Sequence, residues 1–202
     1  METFAPDTTY RHMKIQIATE RPFEFIDVTP DVEALIAQAG IQVGFVNVQS
    51  LHTTTSIVVN EHEPQLLTDF AGVLERAAPP TASYRHDDVG LRTVNAISGE
   101  RINGHSHCQA LLLASSVCLN IADGCLQLGR WQRVFLAELD GPQTRDLSIL
   151  ICGTSARALI GVRSDGDSVP AAVPRPPATE PSARPARRAA PNPVRYCSSG
   201  SP

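Results

Sequence analysis

Short apolar runs with the spacing of β-strands constrain the fold of this 202-residue chain most strongly. Met13, Ile15 and Ile17 alternate with polar residues, as a strand with one buried face requires. Similar runs follow at residues 23–25, 43–51, 53–59, 117–121, 125–128, 131–139 and 147–152. The turn residues Asp123-Gly124 and Asp140-Gly141-Pro142 predict two hairpins between the last four runs.

Helical signals are fewer. Thr29 offers an N-cap, Pro30 a first-turn residue and Gly40 a C-terminal stop, which predicts a helix of about ten residues. After Pro64, helical spacing predicts a second helix through Leu66, Leu67, Phe70, Val73, Leu74 and Ala77. The pattern of residues 106–113 predicts a short third helix. The sequence therefore predicts an α+β domain, mainly an antiparallel β-sandwich with two or three helices.

The composition changes after Gly161 to Pro, Ala, Ser and Arg with only isolated apolar side chains. Such a segment buries too little apolar area to offset the entropy lost on ordering. We therefore predict one domain over residues 1–161 and a disordered tail over residues 162–202. The arginines of the tail leave open the binding of an acidic partner, but a charge run alone is weak evidence.

Charge and hydropathy exclude two kinds of partner. The tail carries a charge of +3 and residues 1–161 carry −7, which argues against a nucleic-acid partner. The longest nearly apolar stretch, residues 110–119, is far below the roughly 20 residues that span a bilayer, so no membrane anchor is expected. Five cysteines without metal-type spacing, and no apolar leader, predict reduced thiols in a cytoplasmic protein.

Three of the six histidines, His52, His86 and His107, fall at predicted strand ends or in loops, where functional residues concentrate. Three neutral imidazoles would hold a divalent metal, with zinc favoured, and leave a position open for water or substrate. The spacing leaves open the alternative that they are surface residues or hydrogen-bonded structural histidines.

Acidic and amide side chains supply candidate catalytic groups. Glu61 would serve as a general base, and Asp69 or Asp87 would orient a histidine. The alternatives are a helix-dipole role for Glu61 and a solvated position for Asp69. Gln132 alternates with Trp131, which the pattern interprets as a core anchor, so Gln132 is expected to face the site.

Several other chemistries are not supported by the residues present. Lys14 is the only lysine, so a Walker-type phosphate loop is missing, and no Gly-rich dinucleotide fingerprint appears. Cys108 adjoins His107, but a buried inert thiol is the favoured interpretation.

Blocks of residues in order resemble the YjbQ-like (UPF0047) family over about residues 11–155. The matching residues are His52-Thr53-Thr54 with Ser56, Asn60-Glu61, Asp69, Tyr84 with His86-Asp87, Asn103 with His107, Ser116 with Gly124, Gly129-Arg130-Trp131-Gln132, and Glu138 with Asp140-Gly141-Pro142. Thr55, Arg130 and Gln143 depart from the family pattern without removing a proposed ligand. The position that matches His105 varies in that family, so the resemblance implies that His105 is a neighbour of the site rather than a ligand. The resemblance implies a homotrimer with a metal near the residues that match His52, His86 and His107.

Members of that family are commonly labelled secondary thiamine-phosphate synthases, which join a pyrimidine diphosphate to a thiazole phosphate and release pyrophosphate. Our first hypothesis is this reaction, with the metal at the pyrophosphate and Gln132 orienting the ring partner. A second is metal-dependent hydrolysis of a phosphate ester or amide with Glu61 as base, which suits zinc better. A third is a non-catalytic trimeric module that binds a small ligand.

Overall fold

The computed structural model describes residues 8–97 and 99–155, which contain eight strands and three α-helices. The strands are β1 (Thr8–Ala18), β2 (Glu24–Asp27), β3 (Ile41–Ser50), β4 (Thr55–Glu61), β5 (Ser116–Ala122), β6 (Cys125–Leu126), β7 (Gln132–Glu138) and β8 (Thr144–Ser155). The helices are α1 (Thr29–Ala39), α2 (Pro64–Ala77) and α3 (Gly104–Leu111), with 3₁₀ turns at Arg85–Asp87 and Val89–Leu91. The predicted tail, residues 162–202, lies outside the described residues.

The strands form two antiparallel sheets, which confirms the predicted α+β class. The larger sheet has the order β1-β8-β3-β5-β6 and the smaller one the order β2-β7-β4. One core cluster takes side chains from both sheets and from α1, including Val48, Ile149, Leu136 and Ile36. The alternating apolar residues therefore point between the sheets, as the period of two requires.

The two predicted hairpins differ in outcome. Asp123 and Gly124 both have positive φ angles, 54° and 73°, as a two-residue type I′ hairpin between β5 and β6 requires. The hairpin expected at residues 140–142 is wrong, because β7 pairs with β2 and β4 whereas β8 pairs with β1 and β3. The turn carries the chain from one sheet to the other, and strand periodicity does not distinguish these two paths.

The helix ends confirm one predicted cap and correct another. Gly40 ends α1 with a φ of 65°, as predicted. Thr29 is not the N-cap, because its hydroxyl accepts a hydrogen bond from the Val134 backbone N at 2.8 Å and ties α1 to β7. Glu63 caps α2 by accepting hydrogen bonds from the backbone N atoms of residues 65 and 66.

None of the helices in the described ranges is long and apolar enough to cross a bilayer. Cys108, Cys118 and Cys152 are free thiols, and Cys108 is exposed rather than buried as expected. A cytoplasmic location stays a prediction.

Candidate functional site

The start of α3 and the 3₁₀ turn before it bring two of the three candidate histidines together. Asp87 accepts a hydrogen bond from the Gly104 backbone N at 2.8 Å, which fixes the turn against the helix. A Cβ at Gly104 would lie only 2.5 Å from Tyr84 Cβ, so the two segments meet at a distance that only glycine permits. The ring of His86 consequently lies beside that of His107, with centroids 4.5 Å apart.

The surroundings of the two imidazoles bear on their hydrogen bonding and on their protonation. His86 Nε2 is buried and has no hydrogen-bond partner among the described residues, a state that is rare in folded proteins. Burial and the adjacent His86 lower the pKa of His107, against the opposing effect of Asp140. A neutral ring is the form in which histidine binds a metal.

Asn103 and Asp140 form the polar wall next to His107. Asn103 is only 7% exposed, and its Nδ2 donates a hydrogen bond to Asp140 Oδ2 at 2.9 Å. Its Oδ1 is the second buried polar atom here without a partner. The backbone carbonyl of Asp140 accepts a hydrogen bond from Arg101 Nη1 at 2.6 Å, which helps to hold this turn in place.

The fit to a metal is partial. Within residues 8–97 and 99–155, no three His, Cys, Asp or Glu side chains are placed to hold one ion together. A catalytic zinc commonly takes three protein ligands. One chain thus supplies two suitable nitrogen donors, His86 and His107, in this arrangement.

His52, the third expected ligand, has a different environment. Its Nε2 accepts a hydrogen bond from the Asp146 backbone N at 2.8 Å, at the start of β8. In a neutral ring the proton is then on Nδ1, so neither nitrogen has a lone pair free for a metal. Burial and nearby Arg145 lower the pKa of His52, which favours this neutral state. The structure does not bring His52 to the other two histidines.

A buried ion pair joins the two sheets beside this region. Arg145 donates hydrogen bonds from Nε and Nη2 to the two carboxylate oxygens of Glu138, both at 2.6 Å. Arg145 also donates to Thr54 Oγ1 at 3.2 Å, and the Asp140 backbone N donates to Glu138 Oε1 at 2.8 Å. Burial acts to raise the pKa of Glu138, but these hydrogen bonds outweigh it and hold the pKa below its ordinary value.

The two expected catalytic residues lie at the other end of the smaller sheet. Glu61 on β4 is paired with Gln132 on β7, whereas Thr55 is paired with Glu138 at the end near Asp140. Six residues of antiparallel strand span about 20 Å. One chain therefore does not bring Glu61 and Gln132 to the two histidines.

Trp131 is not the core anchor that its pattern suggested. Its side chain is 60% exposed, and the Arg130 guanidinium carbon lies 4.5 Å from the ring centroid. Gln132 Oε1 accepts a hydrogen bond from the Gly129 backbone N at 2.8 Å, so this amide supports its own turn. The segment belongs to the surface of the described structure.

The remaining candidates have local roles. Asp69 is exposed on α2, in agreement with its solvated alternative. Asp87 binds the start of α3 through its carboxylate. His105 lies near Tyr84, with ring centroids 6.4 Å apart, and its Nε2 is 3.2 Å from the Ser106 hydroxyl.

Sequence reasoning missed a cleft beside His86. It has a volume of about 660 Å³ and is lined by Arg85, His86, Leu91 and Arg92. Arg92 is bonded to Glu100, whereas Arg85 is exposed and its guanidinium makes no hydrogen bond or ion pair with the described residues. The signal in the sequence was a pair of arginines around His86 in a domain that is otherwise acidic.

Comparisons with known proteins agree with this fold and span most of the described residues. The sequence pattern of the family UPF0047 protein YjbQ-like matches residues 13–154. A UPF0047 protein of Methanothermobacter thermautotrophicus is 38% identical over 140 residues, which cover 69% of this chain and 90% of that protein. The UPF0047 protein YugU of Bacillus subtilis is 29% identical over 140 residues, which cover 69% of this chain and 97% of that protein.

Solved structures give the same result. A YbjQ-like protein of unknown function from Sulfolobus solfataricus has a TM-score of 0.65 and 30% identity, covering 73% of this chain and 99% of that chain. A YjbQ/UPF0047 protein from Clostridium acetobutylicum has a TM-score of 0.61 and 29% identity, covering 69% of this chain and 98% of that chain. Since the family pattern matches residues 13–154 and a relative is 38% identical over 140 residues, this chain belongs to the UPF0047 family of YjbQ-like proteins.

Proposed function

We propose that the protein is a metal-dependent enzyme that acts on a phosphorylated small molecule, with His86 and His107 as metal ligands. The observation that carries the proposal is the buried, unpartnered Nε2 of His86 beside the His107 ring. Two imidazole donors favour zinc over magnesium. A bound zinc would act as a Lewis acid that stabilises charge on a phosphoryl oxygen.

The protein residues would contribute position and charge. Burial keeps His107 neutral and therefore able to bind metal at neutral pH. Asn103 holds Asp140 through Oδ2, while the one described partner of Asp140 Oδ1 is Arg101, whose Nη1 lies 3.7 Å away. Asp140 is thus the carboxylate best placed to accept a proton at this centre, a role the sequence had suggested for Glu61.

Thiamine-phosphate formation is the specific reaction that the family resemblance favours. In it, the nitrogen of a thiazole phosphate forms a bond to the pyrimidine methylene as pyrophosphate leaves with the electrons of the broken C–O bond. The exposed guanidinium of Arg85 in the cleft supports a substrate with a diphosphate. Hydrolysis of a phosphate ester or amide is the second candidate, favoured by the zinc-type donor set at His86 and His107.

A third metal ligand would come from substrate, solvent or another protomer of the homotrimer that the resemblance implies. For His52 to be that ligand, its ring would have to release the Asp146 N–H. The two-histidine and three-histidine versions therefore make different predictions for a His52 variant.

Metal analysis of chelator-free protein tests the proposal. We expect stoichiometric zinc in the wild type and its loss in His86→Ala and His107→Ala. His12→Ala is the matched control, because His12 is exposed on β1 and its ring is bonded to Ser148. Retention of zinc in His52→Ala supports the two-histidine version, and its loss there supports the three-histidine one. A folded wild type that binds no added zinc contradicts both.

Product analysis then separates the reactions. The wild type is incubated with pyrimidine diphosphate and thiazole phosphate, and separately with simple phosphate esters and amides. Thiamine phosphate that disappears in His86→Ala supports the synthase, and release of inorganic phosphate or of an amine with the same dependence supports the hydrolase. Saturable ligand binding without turnover would replace both with the non-catalytic binding module.

A further inference from the structure

The cleft beside His86 has an excess of positive charge that no described side chain neutralises. Arg85 makes no ion pair or hydrogen bond there, although residues 1–161 carry a net charge of −7 overall. Arg92, the other arginine of the lining, is neutralised by Glu100, and its second amino group donates to the Asn95 carbonyl. Arg92 therefore shapes the wall, and Arg85 is the group free to bind a ligand.

A second cleft of the molecule shows that size alone does not produce this property. It has a volume of about 680 Å³ and is lined by Gly72, Glu75, Arg76, Pro79, Pro80 and Thr81. Its lining contains one arginine, Arg76, together with the carboxylate of Glu75. The residues that line it include no histidine. The two clefts thus differ in charge and in the presence of an unsatisfied imidazole, not in volume.

We infer that Arg85 determines specificity by binding the phosphate or diphosphate group of a small molecule in the cleft beside His86. A guanidinium presents paired N–H donors that match two oxygens of a phosphate group. The volume is within the range of sites for small-molecule ligands. The inference rests on the proposed function and deepens it, since it names the group that selects the substrate.

Two other arginines of the domain are engaged elsewhere. The guanidinium of Arg145 donates hydrogen bonds to Glu138 and Thr54 inside the protein. Arg130 stacks on the exposed ring of Trp131. Neither lines the cleft beside His86, so Arg85 is the arginine that combines a free guanidinium with proximity to the candidate metal ligands.

Calorimetric titration of the full-length protein with pyrophosphate and with inorganic phosphate tests the inference. We expect wild-type protein to bind pyrophosphate more tightly than phosphate, and Arg85→Ala to weaken pyrophosphate binding by about 10- to 100-fold. Arg85→Lys keeps the charge but loses the paired donors, so its affinity should be intermediate. Arg76→Ala is the matched control and should bind as the wild type does.

The outcomes that overturn the inference are distinct from those that overturn the metal proposal. Equal pyrophosphate affinity in Arg85→Ala and wild type, or an equal loss in Arg76→Ala, shows that Arg85 is not the binding group. Stoichiometric zinc with no pyrophosphate binding also overturns the inference but leaves the metal centre standing. Pyrophosphate binding that depends on Arg85 in a protein without zinc supports the inference and contradicts the metal centre. Arg85 is exposed and unbonded, so its variants should fold normally.

Discussion

The Glu138–Arg145 pair and the His86–His107 centre are both polar clusters near the turn at residues 140–142, yet they are completed differently. Both carboxylate oxygens of Glu138 are bonded to Arg145. The histidine centre, in contrast, leaves His86 Nε2 without a hydrogen-bond partner among the described residues. A buried polar group that is satisfied inside the chain stabilises the fold, whereas one left unsatisfied is available to a group from outside.

The largest effect that would test this contrast is the loss of Arg145. Arg145→Met leaves Glu138 buried without its partner, and we expect the free energy of unfolding to fall by about 3–5 kcal/mol. Denaturant unfolding measures the change. The double variant Glu138→Leu with Arg145→Met is the control, because removing both charges should restore part of the stability. A fall in the free energy of unfolding of less than about 1 kcal/mol would show that the pair contributes little to the stability of the fold.

The same pair should make stability depend on acid pH. The pKa of Glu138 is lower in the folded protein than in the unfolded chain, so protonation favours unfolding. This contribution is present above about pH 4.5 and is lost as the pH falls through that value and below. Unfolding free energies of wild type and Glu138→Gln between pH 3 and 7 give the measurement. The wild type should show the steeper acid loss, and parallel curves would contradict the assignment.

The smallest expected change in the free energy of unfolding is at the His86–His107 centre. In metal-free protein, His86→Ala should change the free energy of unfolding by less than about 1 kcal/mol, because the lost ring contacts are offset by removal of an unpaired buried polar atom. The measurement is the same denaturant unfolding, with Arg76→Ala as a neutral surface reference. A loss as large as that of Arg145→Met would place His86 among the structural residues and erase the contrast.

The sequence predicted the parts of the fold that local rules control. The period of two located the strands, and Asp123-Gly124 identified the β5–β6 hairpin because its two residues accept positive φ angles. The crossing between β7 and β8 was missed, since a turn that changes sheets carries the same residue types as a hairpin. Long-range pairing decides between the two, and no local pattern reports it.

The candidate site was predicted in part for a related reason. His86 and His107 were expected to meet and do, through the contact between the 3₁₀ turn and α3. His52 was expected to join them, but its ring accepts a hydrogen bond from the backbone of Asp146, 94 residues further along the chain. A backbone N–H is present at almost every position, so the sequence carries no sign of such a partner. Arg85 was missed because an unpaired charge is visible only once its neighbours are known.

Gly104 has a consequence for how this protein would respond to mutation. It contributes no functional atom, yet any side chain at that position would collide with Tyr84 and push the turn that carries His86 away from α3. A saturation screen scored by the proposed activity should therefore rank Gly104 among the least tolerant positions, beside His86 and His107. A map of mutational tolerance will therefore mark the residues that position the site as well as those that act in it. An intolerant glycine in such a map indicates that two segments pack closely at that position.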